Sequence, residues 1–230
     1  MNKKILFSAG GTGGHIFPAI SLMKYLSKEK YSVVLCTDLR GFKYLERDQN
    51  FKYHILKVKT PYGKNFFTGT LILLKILISI IKSIFILKKE RPNLVFGFGG
   101  YLSFPICVAS RILNIPVILY ENNFVIGRTN KYLLPISKRL LTGMEGVCNL
   151  KKKYNEKINF VGNILRDDIL NFSKNIKNEI NDPITILVLG GSQGAKIFGE
   201  VIPKTIEKIK NSGKRIIVHQ QCIKNQISSW

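Results

Sequence analysis

Three glycine clusters and one histidine are the residues whose types and spacing could do chemistry. Gly10-Gly11-Thr12-Gly13-Gly14 closes an apolar run and is followed at once by His15; Gly97-Phe98-Gly99-Gly100 and Gly190-Gly191-Ser192-Gln193-Gly194 repeat the pattern. Glycines at the end of a strand let backbone N–H groups and a helix amino terminus approach a ligand closely, and the ligand that such a cradle favours is a phosphate. Any one cluster is as well explained by a tight strand-to-helix turn; the set of three favours an anion site. His15 falls in the first turn of the following helix, where the positive end of the helix dipole favours neutral imidazole. It is therefore a candidate general base, with a helix-start histidine that merely bonds a carbonyl as the equal alternative.

Two familiar phosphate motifs fail. A dinucleotide G-x-G-x-x-G read from Gly11 meets Ile16 where the third glycine should stand, although Asp38 occupies the place of a ribose-binding acid. A P-loop read from Gly190 meets Ala195 and Ile197 instead of its second glycine and its hydroxyl. Redox chemistry on a dinucleotide and nucleotide hydrolysis both lose ground. Cys36, Cys107, Cys148 and Cys222 lack any metal-ligand spacing and read as reduced structural thiols of a cytosolic protein, with no metal expected. The chain carries 36 Lys+Arg against 14 Asp+Glu, a formal charge of +22, so an anionic partner is expected. Its lysines are scattered, without the Arg-rich block or aromatic ladder of a nucleic-acid reader. A phosphorylated substrate or an acidic membrane surface is favoured, and no nucleic acid.

Placing those turns requires strands that end where the glycines begin. "KKILFSAGG", "YSVVLCTD", "PNLVFGFGG", "IPVILYEN", "KRLLTG" and "INFVGN" are short, apolar and separated by helical or polar stretches, the pattern of an α/β fold with a parallel sheet. "MNKKILFSAGG" has too short an apolar run for a signal peptide and reads as the first strand. A second cycle opens after Pro183 with "ITILVLGGSQGA", a helical "KIFGEVIPKTIEKIK" with Pro203 inside it or splitting it, and "KRIIVHQ". The expected organisation is a first domain over 1–166, a linker over 167–182 and the start of a second domain over 183–230.

The most apolar stretch, Leu71 to Leu87, is 17 residues long and contains Lys75 and Lys82, each costing about 2.5–3.5 kcal/mol near a bilayer centre, so a span is not expected. As a helix it places Lys75, Ser79, Lys82, Ser83 and Lys89 along one side. An ordinary core helix fits that pattern; so does a helix dipped among lipids with lysines reaching phosphates, which the net charge favours.

"SAGGTGGHIFPA", "GFGGYLSFP", "YENNFVIGRTNKYL", "VGNILR" and "LVLGGSQGAK" stand in the same order as in the MurG family of bacterial peptidoglycan transferases, and the chain resembles that family from Ser8 to Lys196. The resemblance implies a GT-B fold, a complete amino-terminal Rossmann-like domain followed by the first part of a second one. It implies inverting transfer of N-acetylglucosamine from UDP-N-acetylglucosamine to a polyprenyl-pyrophosphoryl-muramyl-pentapeptide, without an obligatory metal or other cofactor, at the cytoplasmic face of the inner membrane. By the same resemblance Thr12, Gly13 and Gly14 with Gly99, Gly100 and Tyr101 would cradle a diphosphate, and His15 would stand near the attacking hydroxyl. Asn123, Arg166 and Ser192 match positions associated with the UDP-sugar; Glu121 lies in the same motif as Asn123, and Gln193 neighbours Ser192. "YENN" replaces the family's more usual "HEQN" at Tyr120 and Asn122, and loop capping is the alternative for Glu121 and Asn123. In the family the second domain continues well beyond the "HQ" met here as His219 and Gln220, so the expectation is a whole acceptor side and a partial donor side. A non-catalytic module that only holds the lipid acceptor is the competing expectation.

Overall fold

The computed structural model describes residues 3–45, 51–57, 66–174, 182–190 and 196–222, with backbone alone over 66–71. Two compact units divide the chain, Met1–Asn171 and Phe172–Trp230. In the first, β1 (Lys4–Ser8), β2 (Ser32–Thr37), β3 (Lys52–Ile55), β4 (Leu94–Gly97), β5 (Val117–Glu121), β6 (Arg139–Thr142) and β7 (Ile158–Phe160) form one sheet. Its order is β3-β2-β1-β4-β5-β6-β7 and every pairing is parallel. The helices are α1 (Gly13–Lys28), α2 (Leu39–Phe42), α3 (Phe66–Glu90), α4 (Gly100–Ile112), α5 (Arg128–Leu133) and α6 (Asp167–Ser173).

Both faces of the sheet are buried, which is why its strands read as unbroken apolar runs. Leu6, Val34, Cys36 and Val95 join one core with Leu87, Leu102 and Ile106; Ile5, Phe7, Leu35 and Phe96 join the other with Ile16, Ala19 and Met23. The strand order reverses between β1 and β4, and at such a switch point the loops leaving the strands separate and open a crevice. The loops that leave β1 and β4 are 9–12 and 98–99, and the glycines of both clusters continue into the first residues of α1 and α4.

Three features depart from the sequence reading. β3 was not anticipated: it is a four-residue edge strand, largely exposed, without an apolar run to announce it. Residues 167–173, expected as the beginning of a linker, form α6, with Asp167 and Asp168 in the first turn where they favour the helix dipole. The polar side expected for α3 is not formed. Ser79 and Ser83 are buried, while Leu73, Leu74, Leu77, Ile78, Ile81 and Phe85 are exposed. The serines can go inside because each hydroxyl donates to the carbonyl four residues back, Ser79 to Lys75 at 2.8 Å and Ser83 to Ser79 at 2.7 Å. Small, internally satisfied side chains turn toward the core, and the large apolar ones are left outside with Lys75, Lys82, Lys88 and Lys89.

The second unit contains β8 (Ile184–Val188), α7 (Lys196–Asn211) and β9 (Ile216–Gln220), with β8 and β9 paired in parallel. Pro203 lies inside α7 and does not split it. All four cysteines are free; Cys36 and Cys107 are buried, and burial pushes each thiol up to about 12, while Cys148 is exposed.

Candidate active site at the paired glycine turns

The β1–α1 turn is held from below by a carboxylate. Asp38 Oδ1 accepts the N–H of Gly11 at 2.9 Å and of Gly41 at 2.8 Å, and Asp38 Oδ2 lies 3.4 Å from Arg40 Nη2. A Cβ on Gly10 would stand 2.9 Å from Asp38 Oδ1, so the clamp requires glycine there. Asp38 is thus committed to the loop and not presented to a ribose. The β4–α4 turn is built differently. Gly99 and Gly100 have φ of +81° and +72°, a region where side chains are strained. Ser103 Oγ, within 2.7 Å of the Gly99 carbonyl and 2.9 Å of the Ser8 carbonyl, ties α4 to the end of β1.

These two turns bring the amino termini of α1 and α4 together. Neither N-cap residue, Thr12 or Gly99, caps its helix with a side chain, and neither first turn holds an acid. The first N–H groups of both helices are left for another acceptor. Between them is a cavity of about 160 Å³ lined by Gly10, Gly11, Thr12, His15, Asp38, Arg40, Gly100, Tyr101 and Leu102. Its components are two positive helix ends, a guanidinium, two hydroxyls, an imidazole and the Asp38 carboxylate, whose oxygens are taken by Gly11, Gly41 and Arg40, a set that suits an oxyanion next to a proton acceptor.

His15 stands where the turns meet. A Cβ on Gly100 would be 3.4 Å from its Cδ2, and one on Gly99 would be 3.3 Å from its Cε1, so both glycines make room for the ring. Burial holds the imidazole below its ordinary pKa; the Glu121 charge and the Phe98 carbonyl oppose that shift. The direction agrees with the sequence reading, and burial supplies it. At neutral pH the ring is a neutral proton acceptor.

The "YENN" segment is the floor of the site. Glu121, 2 % exposed, accepts four hydrogen bonds: from Asn123 N at 3.1 Å and Asn123 Nδ2 at 2.8 Å on Oε1, and from Gly127 N at 2.8 Å and Asn130 Nδ2 at 3.0 Å on Oε2. Such saturation fits loop organisation, and Asn123 is its partner. Asn122 Nδ2 donates to the Gly14 carbonyl at 3.2 Å, linking this loop to α1. Tyr120 is buried and its hydroxyl accepts from Ile164 N at 3.1 Å. Arg166 is placed elsewhere, over the Phe17 ring at 4.9 Å and 3.3 Å from Asp168 Oδ1, in a cavity of about 550 Å³ shared with Phe17, Lys43 and Tyr44.

The structure therefore brings Thr12, His15, Gly100 and Tyr101 to one cavity, with Gly13, Gly14 and Gly99 in the turns that frame it. Glu121 and Asn123 support it, and Arg166 lines a different cavity; Ser192 and Gln193 lie outside the described residues. Sequence reasoning missed Arg40, two residues beyond Asp38 in the short helix α2, and Asn130, whose only signal was its place in the motif "GRTNKYL".

The family model described as the glycosyltransferase family 28 N-terminal domain matches residues 5–142. The chain is 36% identical over 220 residues to the "UDP-N-acetylglucosamine--N-acetylmuramyl-(pentapeptide) pyrophosphoryl-undecaprenol N-acetylglucosamine transferase" of Pelagibacter ubique (strain HTCC1062), covering 96% of this chain and 60% of the relative. It is 38% identical over 226 residues to the protein of the same name from Francisella tularensis subsp. holarctica (strain OSU18), covering 96% of this chain and 60% of the relative. Among solved structures, Acinetobacter baumannii MurG superposes with a TM-score of 0.73 at 25% identity, over 99% of this chain and 63% of that one. The chain thus spans about 60% of the length of these curated relatives.

Proposed function

Since the chain belongs to glycosyltransferase family 28, we propose that it forms the acceptor side of an inverting transferase that moves N-acetylglucosamine from UDP-N-acetylglucosamine to a muramyl-pentapeptide carried on pyrophosphoryl-undecaprenol. The observation that carries this reading is the meeting of two uncapped helix amino termini around His15, with Arg40 at the same cavity. In this reading the first-turn N–H groups of α1 and α4 and the Arg40 guanidinium hold a diphosphate. His15 Nε2 takes the proton of the sugar hydroxyl as its oxygen attacks the anomeric carbon, and UDP leaves from the opposite face. Burial keeps the ring neutral and able to accept. Ser192, Gln193 and Arg166 are assigned to the donor on the motif resemblance alone.

The acceptor's lipid requires a membrane, and α3 supplies a suitable surface. Leu77, Ile81 and Phe85 are 48%, 53% and 68% exposed, with Lys75, Lys82, Lys88 and Lys89 also exposed. No helix among the described residues is long and apolar enough to cross a membrane. We assign α3 to peripheral contact with an anionic surface, at the cytoplasmic face of the inner membrane, with its apolar side chains among the lipids and its lysines at the phosphates.

The test is transfer of labelled N-acetylglucosamine to acceptor-loaded vesicles, by the chain alone and with the carboxy-terminal part of the Pelagibacter relative added. Labelled lipid product in either mixture is expected. Absence of product in both, with no preference for acceptor-loaded over plain vesicles, overturns the proposal.

A further inference from the structure

Ser8 Oγ, Thr37 Oγ1, His15 Nδ1 and Asn130 Oδ1 are buried without a hydrogen-bond partner among the described residues, and two of them face each other across Gly99. One is His15 Nδ1; the other is Asn130 Oδ1. Asn130 is 2 % exposed, and its Nδ2 donates to the Tyr120 carbonyl at 2.9 Å and to Glu121 Oε2 at 3.0 Å. Both of those partners can only accept, so the amide orientation is fixed by chemistry and Oδ1 must point away from them. Gly99 separates the two side chains: a Cβ there would lie 3.6 Å from Asn130 Oδ1 and 3.3 Å from His15 Cε1, the carbon bonded to Nδ1. A buried ring nitrogen and a buried amide oxygen left open across a glycine are rarely left unserved in a native fold.

We propose that Asn130 is the positioning residue of His15: its Oδ1 accepts the Nδ1 proton directly, and so keeps the lone pair on Nε2. The opposite tautomer leaves both Nδ1 and Oδ1 buried without a partner, each costing about 1–3 kcal/mol. It also places a proton on Nε2, where, on the proposed reading of the site, the acceptor hydroxyl must lose one. Glu121 does not do this itself, because its two oxygens already take four N–H groups. Asn130 connects that carboxylate to the ring. The other groups that face the ring are Asp38 and Arg40 from the loop after β2, Tyr101 from α4 and the Phe98 carbonyl.

The tautomer is read from the ring nitrogen signals of His15 in the nitrogen-15-labelled chain, which has three histidines and is assigned with His15→Gln. The neutral ring of the unaltered chain is expected in the Nδ1–H form; a predominant Nε2–H form overturns the proposal. Asn130→Leu, similar in shape, is expected to move the ring to mainly Nε2–H, the form preferred by histidine in water, while the unfolding midpoint serves as the folding control. Retention of the Nδ1–H form in a folded Asn130→Leu chain overturns the proposal and assigns the tautomer to the Phe98 carbonyl. If Asn130→Leu fails to fold, Asn130→Asp carries the test: it keeps the acceptor and adds charge, so Nδ1–H must persist with a raised His15 pKa, and an unmoved pKa counts against the role. None of these readings needs sugar transfer, so they stand apart from failure of the transferase reading.

Discussion

Two regions of the sheet treat a buried ionisable group in opposite ways. Beside the edge strand β3, the Glu90 carboxylate is wholly buried and fully partnered, by Lys52 Nζ at 2.8 Å, His54 Nε2 at 2.8 Å and Lys4 Nζ at 3.3 Å. Burial alone would raise its pKa; the hydrogen bonds from Lys52, His54 and Lys4 outweigh it and hold the carboxyl at about 2. At the turns that leave β1 and β4, His15 sits among glycines with Nδ1 open and two uncapped helix ends beside it. One region joins β1, β3 and the last residue of α3 through a saturated cluster. The other keeps polar groups unspent, which costs stability and leaves them available to a ligand.

Predictions that break or sharpen this contrast run from large to small. His15→Gln is expected to lower transfer by roughly 10²- to 10⁴-fold, the usual worth of a general base, with the unfolding midpoint nearly unchanged. A mutant that transfers at the parent rate removes His15 from the mechanism. Glu90→Gln is expected to do the reverse. It should cost about 3 kcal/mol in denaturant unfolding, the size of a shift from an ordinary 4.5 to about 2 in a fully buried group, and leave the His15 titration in place. A loss under about 1 kcal/mol would mean that the cluster is not what holds that edge.

The same cluster sets an acid limit. Because the folded-state pKa of Glu90 is depressed, its contribution is complete above about 4.5 and lost as pH falls toward about 2. The parent should lose stability across that window more steeply than Glu90→Gln, as followed by thermal unfolding at a series of pH values. Gly99→Ala is expected to cost about 1–3 kcal/mol, since it forces a side chain into a positive-φ position against His15 and Asn130. The accompanying readout is a shifted His15 ring signal. The smallest effect belongs to α3: Leu77→Glu with Phe85→Glu should leave folding within about 0.5 kcal/mol and abolish sedimentation with anionic vesicles.

Much of this contrast was legible in the sequence, and what was hidden has a physical reason. The strands were visible because both sheet faces are buried, and the crevice was visible because glycine clusters end β1 and β4. His15 could be singled out from its place behind Gly14, but the burial that depresses it depends on Gly99 and Gly100, more than eighty residues away in the chain. Asp38 stands where a ribose-binding acid could sit, although the dinucleotide motif fails; only the fold shows its carboxylate spent on Gly11 and Gly41. The burial of Ser79 and Ser83 contradicts simple amphipathic patterning, since a serine that bonds its own helix behaves as a small apolar residue. Asn130 gave almost no signal, because its role depends on which of its atoms remains unpaired after Tyr120 and Glu121 are served.

The central claim, that the paired turns form an anion cradle beside a neutral histidine, is tested most directly by following the ring signals of His15 and His54 during a pH titration with and without inorganic pyrophosphate. His15 is expected to titrate below an ordinary histidine in the free chain, and to move upward when pyrophosphate binds, while the ring signals of His54, on the edge strand β3, do not respond to pyrophosphate. If pyrophosphate leaves His15 unmoved, or shifts both histidines alike, the turns hold no anion next to the ring and the account fails.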